Sequence, residues 1–168
     1  MFHDLTIITD SNKPTIVVKR MFAAPPAIVF EAWTRPEHVA QWWDPSGAPL
    51  AVCEIDLRPD GSFRWVNRGP DGAHHPFIGA YLEIVAPERL KFAVHLSPSG
   101  PQSVGTLIFR ENKGQTEFTL TIECASVQHR DALLKMRVEV GTAHTLENLA
   151  KYVGAIAGNI IPIKECKS

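Results

Sequence analysis

Seven histidines are spread along this chain, and histidine is the side chain whose proton moves near neutral pH. Their spacing limits what they can do. His74 and His75 are adjacent, so on a strand they point to opposite faces and cannot share a metal ion. His95, His129 and His144 have no second donor at ligand spacing, whereas zinc takes three or four donors converging on one point. Neither a metal nor a cofactor is expected. Acid–base catalysis needs a titratable group within reach of a substrate carbonyl or hydroxyl. Glu54, Asp56, Arg64, His74, His95, Tyr81 and Glu139 are the polar residues able to turn inward, yet they form no dyad or triad spacing. The sequence has no Gly-x-Ser-x-Gly elbow, no phosphate-binding glycine loop and no Cys-x-x-Cys pair. What remains is binding chemistry. Phe30, Trp43, Phe63, Trp65, Phe77, Tyr81, Phe92, Phe109 and Phe118 are enough aromatics to line an apolar pocket or to pack a core. Arg64, His74, Tyr81, His95 or His144 would orient the polar end of a bound molecule. Asp44, Arg58 and Arg89 read as solvated charges at turns.

These residues meet only if the chain brings them together. Leu5 to Thr9 reads as a short leading strand, closed by the polar turn Asp10-Ser11-Asn12-Lys13-Pro14. Thr15 to Phe22 is β-branched and apolar, hence a strand. Pro25 and Pro26 stop it and suit a helix N-terminus. Ile28, Val29, Ala32 and Trp33 then recur at helical spacing over roughly nine residues. Thr34 is positioned to cap a second helix, with Pro36 and Glu37 in its first turn, and Trp42-Trp43-Asp44-Pro45 closes it. Three of the four tryptophans therefore fall within this one stretch.

Hairpins follow. Ala51 to Leu57 and Ser62 to Arg68 flank Arg58-Pro59-Asp60-Gly61, whose glycine suits a positive φ. Phe77 to Val85, Arg89 to Leu96, Val104 to Glu111 and Thr116 to Cys124 add four strands in an antiparallel meander with short connections. Thr116, Phe118, Leu120 and Ile122 make one apolar face. Ser126 suits the N-cap of a long final helix whose stripe runs through Leu133, Met136 and Val140, then Ala143, Leu146, Leu149 or Ala150, and Val153. Gly141 lies inside that helix, where it would let the helix approach the sheet or a ligand closely. The cavity-facing residues of the helix are expected to be Met136, Val140 and His144.

At 168 residues the chain suits one domain. Residues 1–14 read as an N-terminal extension, 15–154 as the domain and 155–168 as a tail with an apolar Ile160-Ile161-Pro162-Ile163 patch, which could serve a homodimer. The apolar share is 45%, the charged share 21% and the net charge −1, so no basic face calls for nucleic acid. No run is long and apolar enough to span a bilayer, and the N-terminus does not read as a signal peptide. Three scattered cysteines, Cys53, Cys124 and Cys166, fit free thiols in a reducing cytoplasm.

Element order and residues together resemble the START-like (SRPBCC) superfamily, and within it the family named for the C-terminal domain of the heat-shock-protein-90 ATPase activator. The resemblance rests on Arg20-x-Phe22-x-Ala24-Pro25, Val29-Phe30-x-Ala32-Trp33-Thr34, Pro36-Glu37, Trp42-Trp43-x-Pro45, Asp56-x-Arg58-Pro59-x-Gly61-x-Phe63, Gly79-x-Tyr81-x-Glu83-Ile84, Pro87-x-Arg89-Leu90 and Leu146-x-x-Leu149-x-x-Tyr152. It implies an α+β helix-grip fold, with a curved antiparallel sheet of six or seven strands wrapped on a long C-terminal helix and two short helices after the first strand. It also implies an internal cavity for a small hydrophobic or amphipathic molecule. The alternatives it leaves open are a cyclase- or hydrolase-type enzyme acting in that cavity, or a protein-interaction domain in stress or chaperone handling. Members of the family often carry a tryptophan directly after the glycine of the final helix. Here that position is Thr142, and its small side chain implies a larger cavity if it points inward.

Overall fold

The computed structural model describes residues 5–44, 50–96 and 100–158. Pro45 and the Ile160 to Ile163 patch lie outside the described residues. Twelve elements follow in the order β1 (Leu5–Thr9), β2 (Thr15–Phe22), α1 (Pro26–Thr34), α2 (Pro36–Trp42), β3 (Leu50–Ile55), β4 (Ser62–Arg68), β5 (His74–Val85), β6 (Arg89–Val94), β7 (Ser103–Asn112), β8 (Gln115–Glu123), α3 (Val127–Lys135) and α4 (Val138–Ala157).

The strands form one antiparallel sheet in the order β1-β2-β8-β7-β6-β5-β4-β3. The fold is α+β, an antiparallel sheet with helices on one face, as a helix grip requires. The strand count is eight rather than six or seven, because β1 pairs fully with β2, from Leu5 opposite Arg20 to Thr9 opposite Ile16. The helices α1 and α2 accordingly follow the second strand.

Period-two patterning sets which face is covered. In β8, Thr116, Phe118, Leu120 and Ile122 are buried, and in β2 so are Ile16, Val18, Arg20 and Phe22. Pairing of Phe22 with Thr116 and Ile16 with Ile122 keeps these sets on one face. The helix α1 begins at paired prolines, as their fixed φ favours, and buries Val29, Phe30, Ala32 and Trp33. Trp42, at the end of α2, donates its indole N–H to the Ala32 carbonyl at 2.9 Å and so locks the two short helices together. Arg130 does similar work at the other end: its guanidinium, buried in α3, donates to the carbonyls of Asp10 and Lys13 and holds the β1–β2 turn.

Three local expectations need correction. Thr34 does not cap α2: it is the last residue of α1, and its hydroxyl donates to the Phe30 carbonyl at 2.9 Å, while Arg35 stands at the N-cap without a side-chain cap bond. In the Arg58–Gly61 turn the positive φ, 66°, belongs to Asp60. Gly61 is required for a different reason, since a Cβ there would sit 2.1 Å from the Asp56 carbonyl oxygen. The final helix is also broken. Ser126 does cap, accepting from the His129 N–H at 3.0 Å, but only α3 follows it. Arg137 then adopts the left-handed conformation (φ 59°, ψ 41°), which cannot propagate a right-handed helix, and α4 starts afresh at Val138. The break turns Leu133 inward, fully buried, and leaves Met136 and Val140 55% and 44% exposed. Beyond it the stripe holds: Ala143, Leu146, Leu149 and Val153 are buried against the sheet and short helices.

Candidate functional site

Between the inner face of the sheet and the first half of α4 lies a cavity of about 270 Å³. Its floor comes from Gly105 and Leu107 on β7, Leu120 and Ile122 on β8, and Phe92, Val94 and Leu96 on and after β6. One wall is Trp33 of α1 with Trp43, just past α2; the other is Asn67 of β4 with His75, Pro76 and Phe77 of β5. The roof is Val138, Gly141, Thr142, Thr145 and Leu146 of α4.

The roof explains why there is space. Its members follow helical spacing on one face, and three of them are glycine or threonine. A Cβ placed on Gly141 would meet nothing within 4 Å. Of the two expectations for Gly141, close approach to the sheet is absent; the residue instead faces open volume. The floor is shaped by a different glycine. A Cβ on Gly105 would lie 2.6 Å from the Phe92 ring, so only glycine lets that ring lie across β7.

The lining is nearly all apolar. Among the described residues, no Asp, Glu, Lys or Arg belongs to it, and the one titratable side chain is His75, which is exposed at the edge. The Asn67 amide donates to the Trp43 carbonyl at 3.3 Å, and the Thr145 hydroxyl donates to the Gly141 carbonyl at 2.8 Å. The indole N–H groups of Trp33 and Trp43 are buried with no hydrogen-bond partner among the described residues.

The structure divides the residues expected to face the cavity into three groups. Trp43, Phe77 and Phe92 line it. Phe63, Trp65 and Tyr81 pack instead around a void of only about 10 Å³, with ring centroids 5.4 Å apart for Phe63 and Trp65 and 5.2 Å for Phe63 and Tyr81. Burial, with a smaller contribution from Cys53, pushes the Tyr81 phenol far above its ordinary value, so it stays neutral. Phe30, Phe109 and Phe118 belong to the same core, with Phe118 stacked on Trp33 at 5.8 Å.

The third group points elsewhere. His74, one residue out of phase with the inward His75 and Phe77, is exposed. His95 is exposed too, its Nδ1 3.2 Å from the Gly100 carbonyl oxygen. Met136, Val140 and His144 are exposed because the α3–α4 break resets the helix phase. Arg64 faces Glu54 at 3.5 Å on the open face of the sheet. Sequence reasoning missed the polar lining residues Asn67, His75 and Thr145 as cavity residues, and among the apolar ones residues such as Trp33 and Leu107. For Asn67 and His75 the signal was present, since alternation places Asn67 with Trp65, and His75 with Phe77.

A second polar cluster lies away from the cavity. His38 Nδ1 and the Tyr152 hydroxyl are 2.6 Å apart, joining α2 to α4. Burial holds the His38 pKa below its ordinary value, partly opposed by Glu31 and Glu37. Burial likewise raises the Tyr152 phenol. Arg20 and Glu147 form an ion pair at 3.0 Å between β2 and α4. Among the described residues there is no group of three or more His, Cys, Asp or Glu side chains able to hold a metal, and no helix long and apolar enough to cross a membrane.

The family described as Activator of Hsp90 ATPase homolog 1-like protein matches residues 23–154. The chain belongs to that family. Among solved structures, a protein of Rhodobacter sphaeroides is 22% identical with a TM-score of 0.82, over 90% of this chain and 99% of that one. A protein of Staphylococcus epidermidis is 26% identical with a TM-score of 0.76, over 97% and 99%. The Activator-of-Hsp90-ATPase-like protein of Aeromonas hydrophila is 20% identical with a TM-score of 0.70, over 91% and 99%. A comparison with curated proteins finds no match.

Proposed function

We propose that this member of the Activator of Hsp90 ATPase homolog 1-like family binds a small hydrophobic or amphipathic molecule in the cavity beneath α4. The observation that carries this reading is the roof: Gly141, Thr142 and Thr145 leave volume open above a floor of close-packed apolar residues. Protein interiors ordinarily fill to crystal-like density, so a void of this size calls for an occupant or a reason. At about 270 Å³ it lies near the lower end of ligand pockets, which run from about 300 to 1,000 Å³. A dry apolar cavity of about 150 Å³ already accepts benzene, so a bicyclic or short-chain molecule fits the scale. Binding is favoured over catalysis because the lining supplies one titratable group and therefore no acid–base pair.

Native mass spectrometry of freshly purified protein, set against its denatured mass, tests this. A copurified mass of a small organic molecule, lost on Thr142→Trp, is the expected result. If the same adduct persists in the filled variant, the molecule sits elsewhere and the reading fails.

A further inference from the structure

The lining is not featureless: it includes two tryptophans whose buried indole N–H groups lack a partner among the described residues. The Asn67 amide is engaged with the Trp43 carbonyl, and the Thr145 hydroxyl with the Gly141 carbonyl. The two tryptophans are Trp33 and Trp43. Of the other two tryptophans, Trp42 gives its indole N–H to the Ala32 carbonyl, while that of Trp65, packed in the closed core outside the cavity lining, is also unpartnered among the described residues. Buried polar groups are nearly always hydrogen-bonded, and indole is a donor only, so an acceptor is what Trp33 and Trp43 lack. Among the described residues, the lining also holds no Asp, Glu, Lys or Arg. An anionic or cationic headgroup would lose its water there and gain no counter-ion.

Resting on the binding reading above, we infer that the cavity takes an uncharged, largely apolar molecule carrying an acceptor oxygen, such as a ketone, aldehyde or ester, which accepts from the indole N–H of Trp33 or Trp43. The wall is suited to a flat body. Trp43 stands 4.9 Å from Phe77 between ring centroids, and Trp33 and Phe92 complete an aromatic surround.

Three probes of one shape separate the possibilities: naphthalene, 2-acetylnaphthalene and 2-naphthoate. The full chain, labelled with nitrogen-15, has four tryptophans and so four indole cross peaks, assignable by single Trp→Phe variants. All affinities are measured by calorimetry. The expected result is that 2-acetylnaphthalene binds about three- to tenfold tighter than naphthalene, the scale of one net hydrogen bond, and that 2-naphthoate binds weakest. The Trp33 or Trp43 indole proton should move downfield with the ketone beyond its shift with naphthalene, and the Trp42 proton should not. Trp43→Phe or Trp33→Phe, whichever removes the donor, should abolish the ketone preference while retaining naphthalene. Equal affinities for naphthalene and the ketone, or tighter binding of the carboxylate, would overturn the inference and leave a general apolar cavity standing. Failure of all three probes to bind would overturn the cavity reading itself, and the inference with it.

Discussion

The two halves of the sheet's inner face end differently. Under α1 and α2 the side chains close completely. Trp33, Trp42, Phe63, Trp65, Tyr81 and Phe118 interlock edge-to-face, tilted and stacked, and the void beside Phe63, Trp65 and Tyr81 is about 10 Å³. Under the first half of α4 the same sheet leaves about 270 Å³. The strands contribute to the difference, with Gly105, Leu107, Leu120 and Ile122 under α4 against Phe63, Trp65 and Tyr81 in the closed half. The helix adds to it, by presenting Gly141, Thr142 and Thr145 to the cavity, whereas Trp33 and Trp42 of the short helices pack against each other in the closed half. In this chain the residues on α4 therefore help to set the cavity, and a change there alters its volume without touching the sheet.

If that division is right, the largest response to mutation belongs to the closed half. Trp65→Ala should destabilise the fold by about 3–5 kcal/mol in urea unfolding, because the surrounding rings cannot collapse into the gap. Gly105→Ala should cost about 1–3 kcal/mol, as its Cβ meets the Phe92 ring at 2.6 Å and must push it toward the cavity. Gly141→Ala should act with the opposite sign: its methyl enters open space on a helix, so about 1 kcal/mol of stabilisation is expected. Equal destabilisation at Gly105 and Gly141 would erase the distinction between floor and roof.

The smallest expected effect is a pH dependence confined to the closed half. The folded His38 has a pKa below the ordinary 6.5, so on acidification the unfolded chain takes up its proton first. The stability contributed by the neutral His38–Tyr152 contact is thus complete above about pH 6.5 and declines as pH falls from there through the lowered folded pKa. His38→Gln should remove that slope from urea midpoints measured between pH 7.5 and 5, and should leave ligand affinity unchanged. A slope that survives the substitution would assign the effect to another group.

Much of this was legible in the sequence. The paired prolines before α1, the turn residues between hairpins and the alternation of β8 each have a local cause, and the elements formed where those causes lie. The cavity was legible only in outline. Gly141 and Thr142 stand out as small residues on the final helix, but which side of the helix faces the sheet depended on Arg137. A left-handed arginine has no strong sequence signal, unlike a glycine or asparagine, so the break before α4 and the exposure of Met136, Val140 and His144 followed from tertiary packing. For the same reason alternation placed Phe63, Trp65 and Tyr81 inward, yet could not say that they would be consumed by one another.

Thr142 is the point where the account is most exposed. Titration of the wild-type chain and Thr142→Trp with 2-acetylnaphthalene, alongside their thermal unfolding, tests it directly. The account predicts saturable binding to the wild type, its loss in the variant, and an unfolding midpoint for the variant equal to or above that of the wild type, because the indole fills volume that is otherwise empty. Undiminished binding by a folded Thr142→Trp variant would contradict it, since the cavity beneath α4 would then not be where the molecule sits.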